Sequence, residues 1–292
     1  MRYLIINADG YGFTEGVTRA IEECIEFGTV RSLSANVNFA HAAKLTELVR
    51  KYPELSVGCH LNPVVGSPVL PPEKVPTLVD KNGTFLYKQF SRSFLSGQIR
   101  LAELRSELMA QIEKISSMVG SAFSHIDFHM GLHRLPGLYK VFLDVVQKSG
   151  VRRIRTHRYL VGMESRFPIL KHYWYLSVYP ARIPKFLWNL WLRRKALRCG
   201  LAMPDRRVEI TYMGVRANTI NVQNYIKMIR NLPKGFSEFV VHPGYVDSDL
   251  IRWSSYVDQR VLERQVLLSK KFRDEIYSAG VRLVGYRDIP LR

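Results

Sequence analysis

Four apolar runs in this chain lead directly into histidine or aspartate, and this pattern constrains the fold more than any other feature. Leu4-Ile5-Ile6 runs into Asn7-Ala8-Asp9, and Val57-Gly58-Cys59 runs into His60. Further along are Ser124-His125-Ile126-Asp127-Phe128-His129 and Phe239-Val240-Val241-His242. An apolar stretch of this length reads as a buried strand. Polar side chains at the C-terminal ends of several buried strands are what a barrel-type enzyme gathers at one mouth.

Between these strands the spacing turns helical. Val17, Ala20, Ile21, Cys24 and Ile25 recur at helical intervals over 16–27, and Gly28 ends the run. The same reasoning gives helices over 40–52, 101–119, 137–149, 222–232 and 258–279, and strands over 3–7, 30–38, 55–61, 123–129, 151–156, 237–242 and 282–286. Strand and helix alternate, which implies parallel strands with right-handed crossovers. The expected fold is α/β, a deformed (β/α) barrel of about seven parallel strands, with 1–292 as a single domain. Residues 159–205 break the rhythm: they are dense in aromatic and basic residues and read as an irregular insertion. The segment from Pro63 to Pro76 has no period and reads as a long loop.

The polar residues are the right types for metal chemistry. Asp127 and His129 are two apart on a strand and so share a face, while His60 ends a different strand. Two imidazoles and a carboxylate suit a divalent metal with an open position for water. A single strand-end histidine is ordinary packing; several at the ends of separate strands point to a site. His133 follows His129 by four positions, but Gly131 and Pro136 favour a loop, so it is either a substrate or supporting contact or an exposed loop residue. His242 precedes Pro243-Gly244, which should turn the chain, and an imidazole there suits general acid work. Asp9 stands before Gly10 and Gly12 and is a base, a ligand or a helix cap.

Taken together, these motifs resemble the YdjC-like carbohydrate deacetylases, the family of chitooligosaccharide deacetylase and the hopanoid-biosynthesis deacetylases. The matching segments are Asn7-Ala8-Asp9-Gly10-Tyr11-Gly12, Val30-Arg31-Ser32, Gly58-Cys59-His60-Leu61, Ser124 to His133, and His242-Pro243-Gly244-Tyr245. The resemblance implies a metal-dependent hydrolase that removes an acetyl group from an N-acetylated amino sugar. By it, His60 and His129 are metal ligands, Asp9 is the general base, His242 and Arg155 are pocket residues, and Asp127 orients a neighbouring group. Tyr245 enters through the late motif. Gly10 departs from the family pattern, which has a ligand aspartate there. Asp9 could then serve as ligand, water could fill the place, or the protein could be a catalytically silent sugar- or glycolipid-binding homologue. Zinc and magnesium are both compatible, and the two imidazoles favour zinc. A homodimer is a family expectation.

Forty-three Lys and Arg against 25 Asp and Glu give a net charge of +18, so an anionic partner is indicated. No nucleic-acid-binding module is recognisable, which argues against nucleic acid as that partner. Phe186 to Lys195 pairs bulky apolar groups with a basic cluster and is too short to span a bilayer. It suits the surface of an anionic membrane, and so a lipid-linked amino sugar as substrate. Three cysteines, odd in number and without metal-binding spacing, indicate a reducing compartment. The opening residues lack the apolar length of a signal peptide, so the expected location is cytoplasmic, peripheral at the inner membrane surface.

Overall fold

Eight strands and eleven α-helices alternate along the chain in a computed structural model that describes residues 1–210 and 217–291. The strands are β1 (Arg2–Tyr11), β2 (Ser32–Ala35), β3 (Ser56–Leu61), β4 (Phe123–Phe128), β5 (Tyr159–Val161), β6 (Arg206–Glu209), β7 (Gly235–Val241) and β8 (Val281–Val284). The helices are α1 (Glu15–Phe27), α2 (Leu45–Lys51), α3 (Phe90–Leu95), α4 (Leu101–Val119), α5 (Leu138–Ser149), α6 (Pro168–Val178), α7 (Ile183–Arg198), α8 (Val222–Arg230), α9 (Ser248–Trp253), α10 (Asp258–Leu267) and α11 (Lys270–Ser278).

Every pairing between these strands is parallel, in the order β4-β3-β2-β1-β7-β6-β5. β8 pairs with the first half of β1, on residues Arg2 to Ile5, while β2 pairs with Asn7 to Tyr11. Past β4 the regular ladder stops. Ile126 N–H donates to the Arg153 carbonyl at 3.0 Å, and Ile154 N–H donates to the Ala202 carbonyl at 3.0 Å. These single bridges carry the sheet round from β4, giving the deformed α/β barrel that the sequence predicts.

Alternation along the strands divides two environments. Leu4, Ile6, Leu33, Val57, Cys59, Ile126, Phe239 and Val241 face outward into the main apolar core. The inward positions carry a small apolar plug at one level, built from Ile5, Ala202, Val284, Tyr286 and Ile289. Further along the strands the inward positions turn polar: Asn7, Ser32, Ser34, Asn36 and His125 are all fully buried.

Helix α1 shows how sequence sets the outer layer. Thr14 caps it by accepting from Val17 N–H at 3.2 Å, and Gly28 ends it at φ 88°, a left-handed conformation that glycine adopts without a Cβ clash. Its Val17 and Ile21 are fully buried, each worth roughly 1.5–3 kcal/mol relative to exposure. Asp247 ties this helix start to the segment after β7. Its Oδ2 accepts from the Thr14 hydroxyl at 2.7 Å and from Gly16 N–H at 2.9 Å.

Some boundaries differ from expectation. The strand expected over 151–156 is reduced to the bridges at Arg153 and Ile154. The helix expected over 258–279 is two helices, broken at Leu268 and Ser269. The first half of the helix expected over 40–52 is a 3₁₀ turn. Residues 159–205 hold one short strand and two helices.

Candidate active site

Asp9, His60 and Asp127 converge at the C-terminal ends of β1, β3 and β4, their ligating atoms within 4.8 Å of one another. Register explains the convergence. Asp9 pairs with Ser34, Ser34 with Gly58, Gly58 with His125, and His60 with Asp127. Four neighbouring strands thus place these inward-facing positions side by side. Gly58 is where two layers touch: a Cβ there would lie 2.3 Å from His125 Nε2, so glycine lets the imidazole of β4 lie across β3.

Arg155 is the hub of the site. Its guanidinium meets Asp9 in a bidentate pair, with Nη1 to Oδ2 and Nη2 to Oδ1 both at 2.7 Å. Nη2 lies 2.6 Å from Asp127 Oδ2, and Nε donates to Glu238 Oε1 at 2.8 Å. One cation thus faces three buried carboxylates. Burial pushes the Asp9 carboxyl up, but the Arg155 charge, with those of His60 and His242, outweighs burial and holds it well below the usual carboxylate range. The same contest, won by Arg155 and His60, lowers Asp127.

Asp127 turns the His60 ring. Its Oδ1 lies 2.7 Å from His60 Nδ1, which leaves Nε2 as the ring's ligating nitrogen. Burial disfavours the His60 cation, yet the Asp127 and Asp9 charges raise its pKa. Ser34 supports the carboxylate from beneath, donating to Asp127 Oδ2 at 2.9 Å and accepting from Asn7 Nδ2 at 2.9 Å. The His129 ring stands perpendicular to that of His60, centroids 5.2 Å apart, and packs on Phe13. Burial, with the His60 charge, pushes His129 down to about 3, so the ring is neutral at neutral pH. His242 places Nε2 3.9 Å from Asp9 Oδ2, and burial likewise holds it near 3.

This donor set fits a divalent cation. His60 and His129 are neighbouring imidazoles, and neutral rings are what a zinc-type ion takes. Both Asp127 oxygens are already engaged, by His60 at Oδ1 and by Ser34 and Arg155 at Oδ2. Asp9 Oδ2 accepts from Arg155 and keeps capacity on the side of His242. Asn36 Oδ1 is buried and has no hydrogen-bond partner among the described residues.

Two residues from the sequence reading lie outside this group. His133 turns behind β4, where its Nε2 meets His157 Nε2 at 3.0 Å and its ring packs against Phe142, 4.7 Å between centroids. Apolar enclosure explains the placement: Phe128, Tyr139 and Phe142 form a slot for it. Tyr245 points to α1, its hydroxyl donating to Glu23 Oε1 at 2.8 Å and its ring under the guanidinium of Arg264. The segment from His242 to Tyr245 makes no turn. Instead Gly244 N–H donates to the Arg260 carbonyl and Tyr245 N–H to the Gly16 carbonyl. Asn7 and Ser32 were noted in the sequence only as parts of motifs, without a role, and Ser34, Asn36 and Glu238 were missed. Ser32-Leu33-Ser34-Ala35-Asn36 does carry a signal, since every second residue is polar along a strand and its next residue, all of them buried.

The sequence pattern of the YdjC-like proteins matches residues 3–278. A carbohydrate deacetylase of Thermoanaerobacter pseudethanolicus is 28% identical over 286 residues, covering 98% of both chains. A chitooligosaccharide deacetylase of Yersinia enterocolitica is 25% identical over 291 residues, covering 98% of this chain and 99% of the other. A crystal structure from Enterococcus faecalis V583, provisionally assigned to cellobiose-phosphate cleavage, superposes with a TM-score of 0.69 at 27% identity, over 98% of this chain and 97% of that one.

Proposed function

This chain belongs to the YdjC-like proteins, and we propose that it is a metal-dependent N-deacetylase of an N-acetylated amino sugar. The observation that carries the reading is the buried Asp9–His60–Asp127 group, with His129 and His242 beside it, at the strand ends. Full-length similarity to carbohydrate deacetylases supports the substrate class.

His60 and His129 would hold the cation through their imidazole nitrogens. Once bound, a divalent ion supplies Lewis acidity for the acetamide carbonyl and lowers the pKa of water. The residues supply the rest. Asp9 accepts the proton of the attacking water on Oδ2, the oxygen that faces His242. Arg155 keeps Asp9 ionised and fixed in orientation, at the cost of making it a weak base. A proton taken there therefore passes readily to the neutral His242 Nε2, 3.9 Å away, which delivers it to the leaving amine. The amide C–N bond breaks, releasing acetate and a free amino sugar. Asp127 holds the His60 ring and Glu238 holds Arg155.

The substrate is proposed to be lipid-linked and presented at an anionic membrane surface, with the protein cytoplasmic and peripheral. No helix among the described residues is long and apolar enough to cross a membrane. Residues 165–204 contain eight Lys and Arg and no Asp or Glu. On α6, α7 and their flanks, Phe167, Leu170, Trp174, Leu187 and Trp191 are exposed, and Lys195 lies over the Trp191 ring. Exposed aromatic groups interleaved with cations suit an anionic interface. α7 is joined to the loop that begins at His129, because Trp188 Nε1 donates to the Arg134 carbonyl at 2.8 Å.

Acetate release from a panel of N-acetylated glycans and glycolipids tests the reaction. Wild type should release acetate and His129→Ala should not; a wild type inactive on the whole panel with metal supplied would favour a silent binding protein. Flotation with liposomes tests the surface. Salt-sensitive binding to anionic but not neutral vesicles, lost in a Trp174→Ser/Trp191→Ser variant, is expected, and no binding to either ends the membrane reading.

A further inference from the structure

Asn36 stands one residue beyond β2 at the rim of the candidate site, fully buried. Its backbone N–H donates to the Tyr11 carbonyl at 2.8 Å, and its Nδ2 donates to the His60 carbonyl at 3.3 Å. The second bond fixes the amide's orientation, because an amide oxygen cannot face a carbonyl. Oδ1 is thereby turned from the His60 backbone, and it has no partner among the described residues. A buried amide oxygen without a donor is costly and calls for an explanation such as an ion.

Where Oδ1 does lie is informative. Across from it is Gly10, the extra residue of a bulge: Asp9 pairs with Ser34 and Tyr11 with Ala35, so Gly10 has no opposite number. Its φ of +97° suits glycine and strains any other residue. A Cβ there would meet nothing nearer than Val17 at 3.8 Å and would lie 4.0 Å from Asn36 Oδ1. The space a carboxylate at position 10 would enter is thus bordered by the orphaned oxygen of Asn36. Of the carboxylates already present, Asp127 is taken up by His60, Ser34 and Arg155 at both oxygens, and Asp9 is held by Arg155 and Asn7 with capacity left only at Oδ2, on the side of His242. An amide oxygen is an accepted ligand for hard and borderline divalent ions.

We propose that Asn36 Oδ1 is the third protein donor, with His60 and His129, of a divalent-cation site to which position 10, a glycine, supplies no side chain. The proposal rests on the metal-dependent reading above and deepens it. All three donors are neutral, so the site leaves the ion's full charge to act on whatever oxygen occupies its open positions. It also leaves Asp9 free as a base.

The test titrates metal-free full-length protein with Zn²⁺ in competition with a chromophoric chelator, and with Co²⁺ by visible absorption, in Asn36→Leu, Asn36→Asp, His60→Ala and His129→Ala. Asn36→Leu keeps the side-chain size and should weaken Zn²⁺ about 10-fold or more and alter the Co²⁺ spectrum. Asn36→Asp adds a charge and should bind more tightly than wild type. Wild-type affinity and spectrum in Asn36→Leu, with binding lost in His60→Ala and His129→Ala, would overturn the role of Asn36 and leave the centre standing. If wild type and His129→Ala bind alike, the centre itself fails, and the inference with it. Should Asn36→Leu not fold, Asn36→Asp decides: tighter binding supports the proposal, and unchanged or weaker binding overturns it.

Discussion

Replacing Arg155 by methionine should convert the most compensated part of the protein into the least. Arg155 is 8% exposed, and its guanidinium faces Asp9, Asp127 and Glu238 at 2.6–2.8 Å. Removing one partner of a buried pair costs on the order of 3–5 kcal/mol, because the remaining charge stays desolvated. Unfolding entropy of ~2.1 cal/mol/K per residue gives about 0.6 kcal/mol/K for a chain of 292 residues. The melting temperature should therefore fall by about 5–8 °C at pH 7. The contribution of Asp9 and Asp127 to the pH dependence should also change sign. In wild type the Asp9 and Asp127 pKa values lie below their unfolded values, so their contribution is present above pH ~4 and lost on acidification. Without Arg155, burial acts with much less opposition and raises both folded pKa values. The variant should then gain stability as pH falls from 7 to 5, where wild type gains nothing from these groups. Urea denaturation of metal-free protein at pH 5, 6 and 7 measures this. A variant within 1 kcal/mol of wild type at pH 7, or one whose stability changes in parallel with wild type between pH 7 and 5, would refute the reasoning.

Asp127→Asn removes the charge that turns and polarises His60; zinc affinity should drop roughly 10–100-fold by chelator competition. Glu263 is buried, its pKa raised to about 7 by desolvation against the bonds from Tyr256 and the His242 amide. Its folded state holds the proton longer than the unfolded one, so wild type should lose on the order of 3 kcal/mol between pH 4.5 and 7 through this group, and Glu263→Gln should flatten that slope in denaturant titrations. Gly58→Ala drives a methyl to 2.3 Å from His125 Nε2, so a loss of about 1–3 kcal/mol is expected in thermal melts, with a clear failure if the variant is as stable as wild type.

Much of the site was legible because strand alternation is a strong signal and its breaks are conspicuous. Asp9, His60, Asp127 and His242 interrupt apolar runs where a buried strand should continue, and the strand ends do bring them together. Tyr245 and His133 were misplaced for a different reason. Both lie past a strand end, where direction is set by tertiary neighbours: Glu23 and Arg264 draw one away, and an aromatic slot encloses the other. β5 and β6 escaped notice because they are three and four residues long and start with half-buried aromatic or basic residues. The support beneath Asp9 was missed since Asn7, Ser32 and Ser34 are residues that turns also favour. Only register shows that they bond one another across β1 and β2.

The crowding around β1 has a consequence for biogenesis. Its first residues are matched with 235–238 on one edge and 281–284 on the other, and only its far half pairs with the nearby 32–35. During synthesis this strand must wait, unmatched along its first half, until residues 235–284 have emerged. Long-range pairings of this kind slow folding and expose the nascent chain to aggregation. Asp9 therefore reaches its final setting only when β8 docks, and a chain cut before β8 should carry no formed pocket.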